Sequence, residues 1–443
     1  MPGALPDNPA DLPYTRSYPM SARSDQYSIV ATCAGGLEPV LESEVRALAA
    51  GTSAAPDVEG TEPGVVRFGG TAETVAAANH SFRTASRVLV SLLQGPASTY
   101  DHVYALASRI PWEQHIVPDA TLAVTALARS RTLSNHKFLA MRVKDAIVDR
   151  QREKRGRRSN IDRRSPDYPV VVHASDAGVE ISLDTSGRSL HERGYRREAG
   201  DAPLRESLAA GLVLLSDWDS TVPLFDPFCG SGTIVIEAAL IQAGRVPGDL
   251  GRRYAFERWP AFRGVKAPGP SGPSGDQAAT GPAPGPAPRG AGQIIAADAD
   301  PAVLAIAKRN AERAGVDHLI RFVPGAFEEL ALHDVLGPAA ALDDAAEDGP
   351  GDATESGPGG ARGEGPAGVI VTNPPYGERM PEADVAALYQ MIGDNLKARY
   401  AGWSAWIITA NLQAAKRIGL RSSSKTVLYN GALETRLYEF RVY

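Results

Sequence analysis

The densest chemical signal is Leu224-Phe225-Asp226-Pro227-Phe228-Cys229-Gly230-Ser231-Gly232-Thr233, an apolar run that meets a carboxylate and then a Gly-x-Gly turn ahead of a helical pattern. Glycines there let the backbone approach a ligand at the carboxyl end of a parallel strand, where such sheets bind. A P-loop would end in Gly-Lys-Ser/Thr, and a dinucleotide fingerprint would place a third glycine where Val235 stands. Asp226 also repels phosphate and favours a cationic amino-acid end. Asp298 closes the next strand pattern, Ile294 to Ala297, where a carboxylate can accept both hydroxyls of a ribose. Adenosine joined to a methionine with a free amino group satisfies both acids. S-adenosylmethionine is therefore the expected cofactor, held by Asp226, Pro227, Cys229, Gly230, Gly232 and Asp298.

Val371-Thr372-Asn373-Pro374-Pro375-Tyr376 ends a later strand pattern, on the same rim. Two prolines fix the chain after Asn373, leaving its amide oxygen and the Pro374 carbonyl free to accept hydrogen bonds from one NH2 group. An exocyclic amine of a base fits such a pair, with Tyr376 stacked on the ring. Asn373, Pro374, Pro375 and Tyr376 are the expected catalytic residues. Cys229 reads as a wall of the turn, because methyl transfer to an amine needs no covalent intermediate. His173 alternates with apolar strand positions and reads as structural, His191 as a packing or hinge residue, and Trp403 and Trp406 as core. Two cysteines, Cys33 and Cys229, make neither a disulfide framework nor a metal site, so no metal is expected and a reducing cytoplasm fits.

Around these motifs the chain alternates strands and helices. Leu204 to Leu215, Gly232 to Ala243, Ala302 to Ala314 and Val385 to Arg399 read as helices. Between them, Val222 to Phe225, Ile294 to Ala297, Val369 to Thr372 and Ala405 to Thr409 read as strands, which is the pattern of a doubly wound parallel sheet over 191–443. Ahead of it, residues 25–95 and 96–190 read as two smaller α/β units, the second containing a helix from Lys137 to Arg150 and a hairpin around Ser175-Asp176-Ala177-Gly178. Residues 1–24 read as a disordered leader. So do two insertions, the Pro- and Gly-rich 267–290 and the Gly-, Ala- and acid-rich 337–368, because neither composition can bury enough apolar area to offset its ordering cost.

A chain of 443 residues exceeds one ordinary core. Its start lacks a signal-peptide pattern and no apolar run reaches the roughly 18 residues of a membrane helix. The net charge of −6 is unusual for a nucleic-acid binder, but residues 337–368 hold seven acids against the single base Arg362 and account for all of it. Positive charge is densest at Arg150, Arg152, Lys154, Arg155, Arg157, Arg158, Arg163 and Arg164, which are the expected RNA contacts.

Asp226 to Gly232 and Asn373 to Tyr376 resemble motifs I and IV of class I amino methyltransferases. Those motifs alone would admit DNA adenine or protein glutamine enzymes. Leu133-Ser134-Asn135-His136 through Val143 to Asp149, Leu190-His191-Glu192-Arg193-Gly194-Tyr195-Arg196, Ala202-Pro203-Leu204-Arg205-Glu206, Phe256-Glu257-Arg258-Trp259-Pro260 and Asn373 to Arg379 are similar to THUMP-domain RNA methyltransferases, specifically the guanine-N2 enzymes of bacterial 23S rRNA. The resemblance covers Tyr27 to Tyr443 outside the insertions and implies a ferredoxin-like unit, a THUMP module and a Rossmann-like catalytic domain. It also implies transfer to guanine N2 in RNA, with tRNA guanine N2 or DNA adenine N6 as the rival target within the class. An inactive RNA-binding assembly factor is the alternative of another class, disfavoured because Asp226, Asp298 and Asn373 are all present. The sequence departs from the family twice. Ala326 stands where an acid often meets the adenine amine, with Glu328 nearby, and the second, N7-guanine domain of long members has no counterpart before the chain ends at Tyr443, so that activity is expected to be absent.

Overall fold

The computed structural model describes residues 12–16, 26–48, 56–197, 204–265, 292–337, 367–376 and 381–443. The chain divides into two compact units, one made of Met1–Cys33, Leu41–His191 and Pro247–Gly269, the other of Ala34–Val40, Glu192–Val246 and Pro270–Tyr443.

In chain order the first unit contains strands β1 (Thr15–Arg16) and β2 (Tyr27–Cys33), helix α1 (Glu38–Leu48, whose Leu41 and Val45 face this core), β3 (Val58–Glu62), β4 (Val65–Gly70), α2 (Ala72–Ser81) and β5 (Ala85–Gly95). It continues with α3 (Tyr100–Arg109), α4 (Trp112–His115), β6 (Thr121–Ala128), α5 (His136–Arg155), β7 (Asn160–Ile161), β8 (Tyr168–Ser175) and β9 (Gly178–Asp184). Sequence cues set the helix ends. Thr71, Thr99 and Asn135 cap α2, α3 and α5 with their side chains, and Gly156, at φ 69°, closes α5 in the left-handed region that glycine tolerates.

Among the described residues all these strands lie in one nine-stranded sheet, ordered β3-β4-β2-β5-β9-β8-β6-β7, with β1 also paired to β5. The two small units expected at 25–95 and 96–190 thus share a sheet, because β5 bonds β2 on one side and β9 on the other. The β8–β9 hairpin turns at Asp176-Ala177 as its residues foretold. The leader departs from expectation at 12–16: Leu12 is buried, and Thr15–Arg16 pairs with Gln94 and Leu93. The rest of residues 1–24 apart from 12–16, residues 198–203 with Ala202 and Pro203, and both insertions apart from Gly337, Ala367 and Gly368 lie outside the described residues.

Pro247–Phe262 also departs from expectation. Its sequence position is inside the catalytic domain, yet its short 3-10 turns pack into the first unit's core. Trp259 stacks on Tyr168 with ring centroids 5.1 Å apart, its Nε1 donates to the Asp167 carbonyl at 2.8 Å, and Phe256 and Phe262 are buried beside it. The side chains of His80 and Asp249, 9% and 1% exposed, meet at 3.2 Å. A run of four large aromatics within nine residues cannot be solvated cheaply, and each buried ring is worth about 1.5–3 kcal/mol.

The second unit comprises α6 (Glu206–Leu215), β10 (Leu224–Asp226), α7 (Thr233–Gln242), β11 (Ile294–Asp298), α8 (Pro301–Ala314), β12 (Ile320–Pro324), α9 (Leu332–Leu336) and β13 (Val369–Thr372). It ends with α10 (Glu382–Arg399), β14 (Ser404–Thr409), α11 (Leu412–Ala415), β15 (Ser424–Asn430) and β16 (Leu433–Arg441). The described strands form a sheet ordered β12-β11-β10-β13-β14-β16-β15, parallel up to β14 and antiparallel thereafter. From β10 the chain first winds outward to β11 and β12, then returns to β13 on the other side. The order reverses between β10 and β13, and in open sheets the crevice at such a switch point is where ligands bind. Trp403 and Trp406 are core, as expected. Gly35 and Gly36 pack here as well: side chains at those positions would run into the Tyr429 ring and the Val427 carbonyl.

Candidate active site

Asp226 ends β10 with 1% of its surface exposed. Its Oδ1 accepts hydrogen bonds from Thr372 Oγ1 at 2.6 Å and from the Phe228 amide at 3.2 Å. Burial pushes the Asp226 carboxyl up to about 7, and the negative charge of Asp298 acts the same way, while the two hydrogen bonds oppose it. An acid poised there gains most from a cation placed beside it. Among the described residues both of these hydrogen bonds fall on Oδ1, not Oδ2.

The glycine turn is held from both neighbouring segments. The Cys229 amide donates to the Ala297 carbonyl at 2.9 Å, and the Gly230 amide to Asp298 Oδ2 at 3.1 Å. Gly230 and Gly232 adopt φ of 54° and 84°, and a Cβ on Gly232 would lie 3.0 Å from that of Ala307 on α8. Both conformation and space therefore require glycine at Gly232. Asn310, fully buried on α8, donates from Nδ2 to the Ser231 carbonyl at 3.0 Å. Burial, and then the charges of Asp226 and Asp298, hold the Cys229 thiol far above its usual range, so it stays protonated and suits a wall rather than a nucleophile.

Asp298 ends β11, half-buried. Its Oδ1 accepts the Asp300 amide at 3.0 Å and its Oδ2 the Gly230 amide, so each oxygen keeps a lone pair for a ribose hydroxyl. Asp300 caps α8 through the Ala302 amide, which fixes the bend after the strand. Beyond β12, Phe327 is buried between Phe225, Phe228 and Tyr400, Ala326 is half-buried, and Glu328 is exposed.

At the end of β13, Thr372 is buried, Asn373 half-buried, Pro374 buried and Pro375 exposed. Tyr376 is half-buried and packs against the core. Gly377, Glu378 and Arg379 lie outside the described residues. β10 and β13 are parallel neighbours in register Leu224 with Val369 and Phe225 with Ile370, so the sheet brings Asp226 and Asn373 to one edge, with Asp298 one strand further on. Sequence reading missed Thr372 and Asn310. A hydroxyl beside a site asparagine and a polar residue on the apolar side of α8 were the available signals.

The basic cluster divides. Arg150 makes a two-point ion pair with Glu113 at 2.8 and 2.9 Å and donates to the Ser108 carbonyl, and Arg155 donates to the Ile116 and Glu113 carbonyls. These two arginines, expected to meet RNA, tie the end of α5 to the α3–α4 segment. Arg157 faces Asp119 at 3.0 Å, Lys154 faces Glu153 at 2.8 Å, and Arg152 lies 3.7 Å from Asp149, all exposed. Arg158, Arg163 and Arg164 are exposed as well. Among the described residues no helix is long and apolar enough to cross a membrane, and no group of three His, Cys, Asp or Glu could hold a metal.

The chain matches three families: RMKL-like, methyltransferase domain, over residues 193–336 and 352–439; THUMP domain, over 97–184; and RlmL ferredoxin-like domain, over 28–89. It is 37% identical over 417 residues to the ribosomal RNA large subunit methyltransferase K/L of Syntrophotalea carbinolica, covering 93% of this chain and 53% of that one, so it spans about half that relative's length. It is 31% identical to the "Putative RNA methyltransferase slr0064" of Synechocystis sp., covering 99% of this chain and all of that one. Among solved structures, SMU.472 complexed with SAH superposes with a TM-score of 0.71 at 26% identity, covering 95% of this chain and 99% of that chain.

Proposed function

The chain belongs to the RMKL-like methyltransferases that carry ferredoxin-like and THUMP domains, and from that premise we propose that it methylates the exocyclic N2 of a guanine in RNA, 23S rRNA being the substrate, with S-adenosylmethionine as donor. The observation that carries this reading is the alignment of Asp298, Asp226 and Asn373 at the ends of the successive sheet neighbours β11, β10 and β13. Asp226 takes the ammonium of the methionine end and Asp298 the ribose hydroxyls. Asn373 Oδ1 and the Pro374 carbonyl accept the two N2 hydrogens of a flipped guanine and orient the nitrogen lone pair, while Tyr376 offers its ring to the base. When bound, S-adenosylmethionine supplies an electrophilic methyl group, and the amine's surplus proton leaves to solvent. Holding both reactants in this geometry can supply about 7–11 kcal/mol of the barrier.

Support for RNA comes from the THUMP match and from the RNA methyltransferase relatives. Arg152, Lys154, Arg157, Arg158, Arg163 and Arg164 are the phosphate contacts in this reading, since their side chains are exposed. Nucleoside mass spectrometry on rRNA and tRNA from a deletion strain tests it. Loss of one N2-methylguanosine from 23S rRNA is expected; a loss confined to tRNA, or to N6-methyladenosine, would contradict the substrate assignment.

A further inference from the structure

We propose that Thr372 is a positioning residue that couples the cofactor acid to the acceptor turn, its hydroxyl fixing the Asp226 carboxylate for a cationic ligand while its backbone carries Asn373. The proposal rests on the cofactor reading above. Thr372 and Asp226 are 146 residues apart in sequence, both are 1% exposed, and the 2.6 Å bond between them bridges the switch point of the sheet. Oδ1 of Asp226 accepts both the Thr372 hydroxyl and the Phe228 amide, so a proton on this acid sits on Oδ2, the oxygen left for the cation in this proposal. Thr372 therefore acts on the charge state of the oxygen that meets the ligand without touching the ligand itself.

The surroundings of Asp226 make that hydroxyl decisive. From β11 it faces Asp298, of like charge; from its own turn it faces the Phe228 amide and the neutral Cys229 thiol; from β13 it faces Thr372. Among the described residues no basic side chain acts on it. Two hydrogen bonds thus oppose burial and a like charge, and with both in place the acid titrates at about 7. Removing one bond to a charged group raises a carboxyl by about one to two pH units. The variant then enters neutral pH largely protonated, and a cation must displace that proton in order to bind.

Calorimetric titration of the full chain with S-adenosylhomocysteine, which keeps the ammonium and lacks the sulfonium, tests this between pH 6 and 8.5. Thr372→Val is expected to weaken binding at pH 7 by about fivefold to fiftyfold, and at pH 8.5 by no more than about fourfold. In buffers of different ionisation enthalpy at pH 7, the wild type should release about half a proton per ligand bound and the variant close to one. Thr372→Ser should restore wild-type behaviour, and Thr372→Ala, which removes the hydroxyl without adding bulk, should match valine. Unchanged affinity, or an equal loss at every pH with unchanged proton release, would overturn the proposal and leave Thr372 a packing residue. Absence of binding by the wild type at all pH values would instead overturn the cofactor reading on which it rests.

Discussion

The Gly230 amide donates to Asp298 Oδ2 at 3.1 Å, so the acid that ends β11 is held by the glycine turn that ends β10. The two motifs proposed to hold the cofactor are thus tied to each other. On the proposed reading, Asp298→Ala removes a ribose acceptor and also the bond that holds the turn. S-adenosylmethionine affinity should fall by at least about 1.5–3 kcal/mol, the worth of a hydrogen bond to a charged group. Calorimetry showing unchanged affinity would place the nucleoside elsewhere.

Asn373 stands one residue beyond the buried Thr372, and on the proposed reading it meets the acceptor base rather than the cofactor. Asn373→Ala should leave S-adenosylmethionine affinity within about twofold and lower kcat by about a hundredfold or more, the scale set by losing one polarising hydrogen bond in a closed site. Equilibrium binding and single-turnover kinetics on the same preparation separate the two effects. Weakened cofactor binding with normal kcat would contradict the assignment.

Trp259 stacks on Tyr168 and bonds Asp167, so Trp259→Ala should destabilise the first unit by about 3–5 kcal/mol. Hydrogen exchange should show the loss in β8 and β9, with the strands of the second unit unaffected. Loss of protection centred on β10 and β11 would show that the segment serves the catalytic sheet instead.

The divided basic cluster gives contrasting variants. Arg158→Ala with Arg163→Ala and Arg164→Ala should weaken RNA binding across sequences and flatten its salt dependence, by a slope of up to about 0.7 per lost contact on single strands, at unchanged melting temperature. Arg155→Ala should instead lower the melting temperature, because its bonds from the end of α5 to the Ile116 and Glu113 backbone carbonyls are lost. Filter binding over a salt series alongside thermal unfolding checks both. Unaltered RNA affinity and slope in the triple variant would remove this surface from substrate binding.

The glycine turn and the Asn-Pro-Pro corner were legible because each is written in consecutive residues, where a strand must end and conformation selects glycine or proline. Thr372 and Asn310 were not, since their partners lie 146 and 79 residues away and only the sheet order brings them together. Leu12 and Thr15–Arg16 escaped because a two-residue strand has no period to read. The β15–β16 hairpin did carry a signal, Asn430-Gly431 before the alternating Leu433–Arg441, and that signal was passed over. Arg150 and Arg155 looked like free charge because their acceptors, Glu113 and three backbone carbonyls, belong to other elements.

The most direct measurement of the central claim is methylation of protein-free 23S rRNA with isotopically labelled S-adenosylmethionine, comparing the wild type with Asn373→Ala, followed by nuclease digestion and mass spectrometry of the nucleosides. Label in N2-methylguanosine with the wild type, and its loss with Asn373→Ala despite normal cofactor binding, is the predicted result. Label in any other nucleoside, or equal labelling by both proteins, would contradict the account.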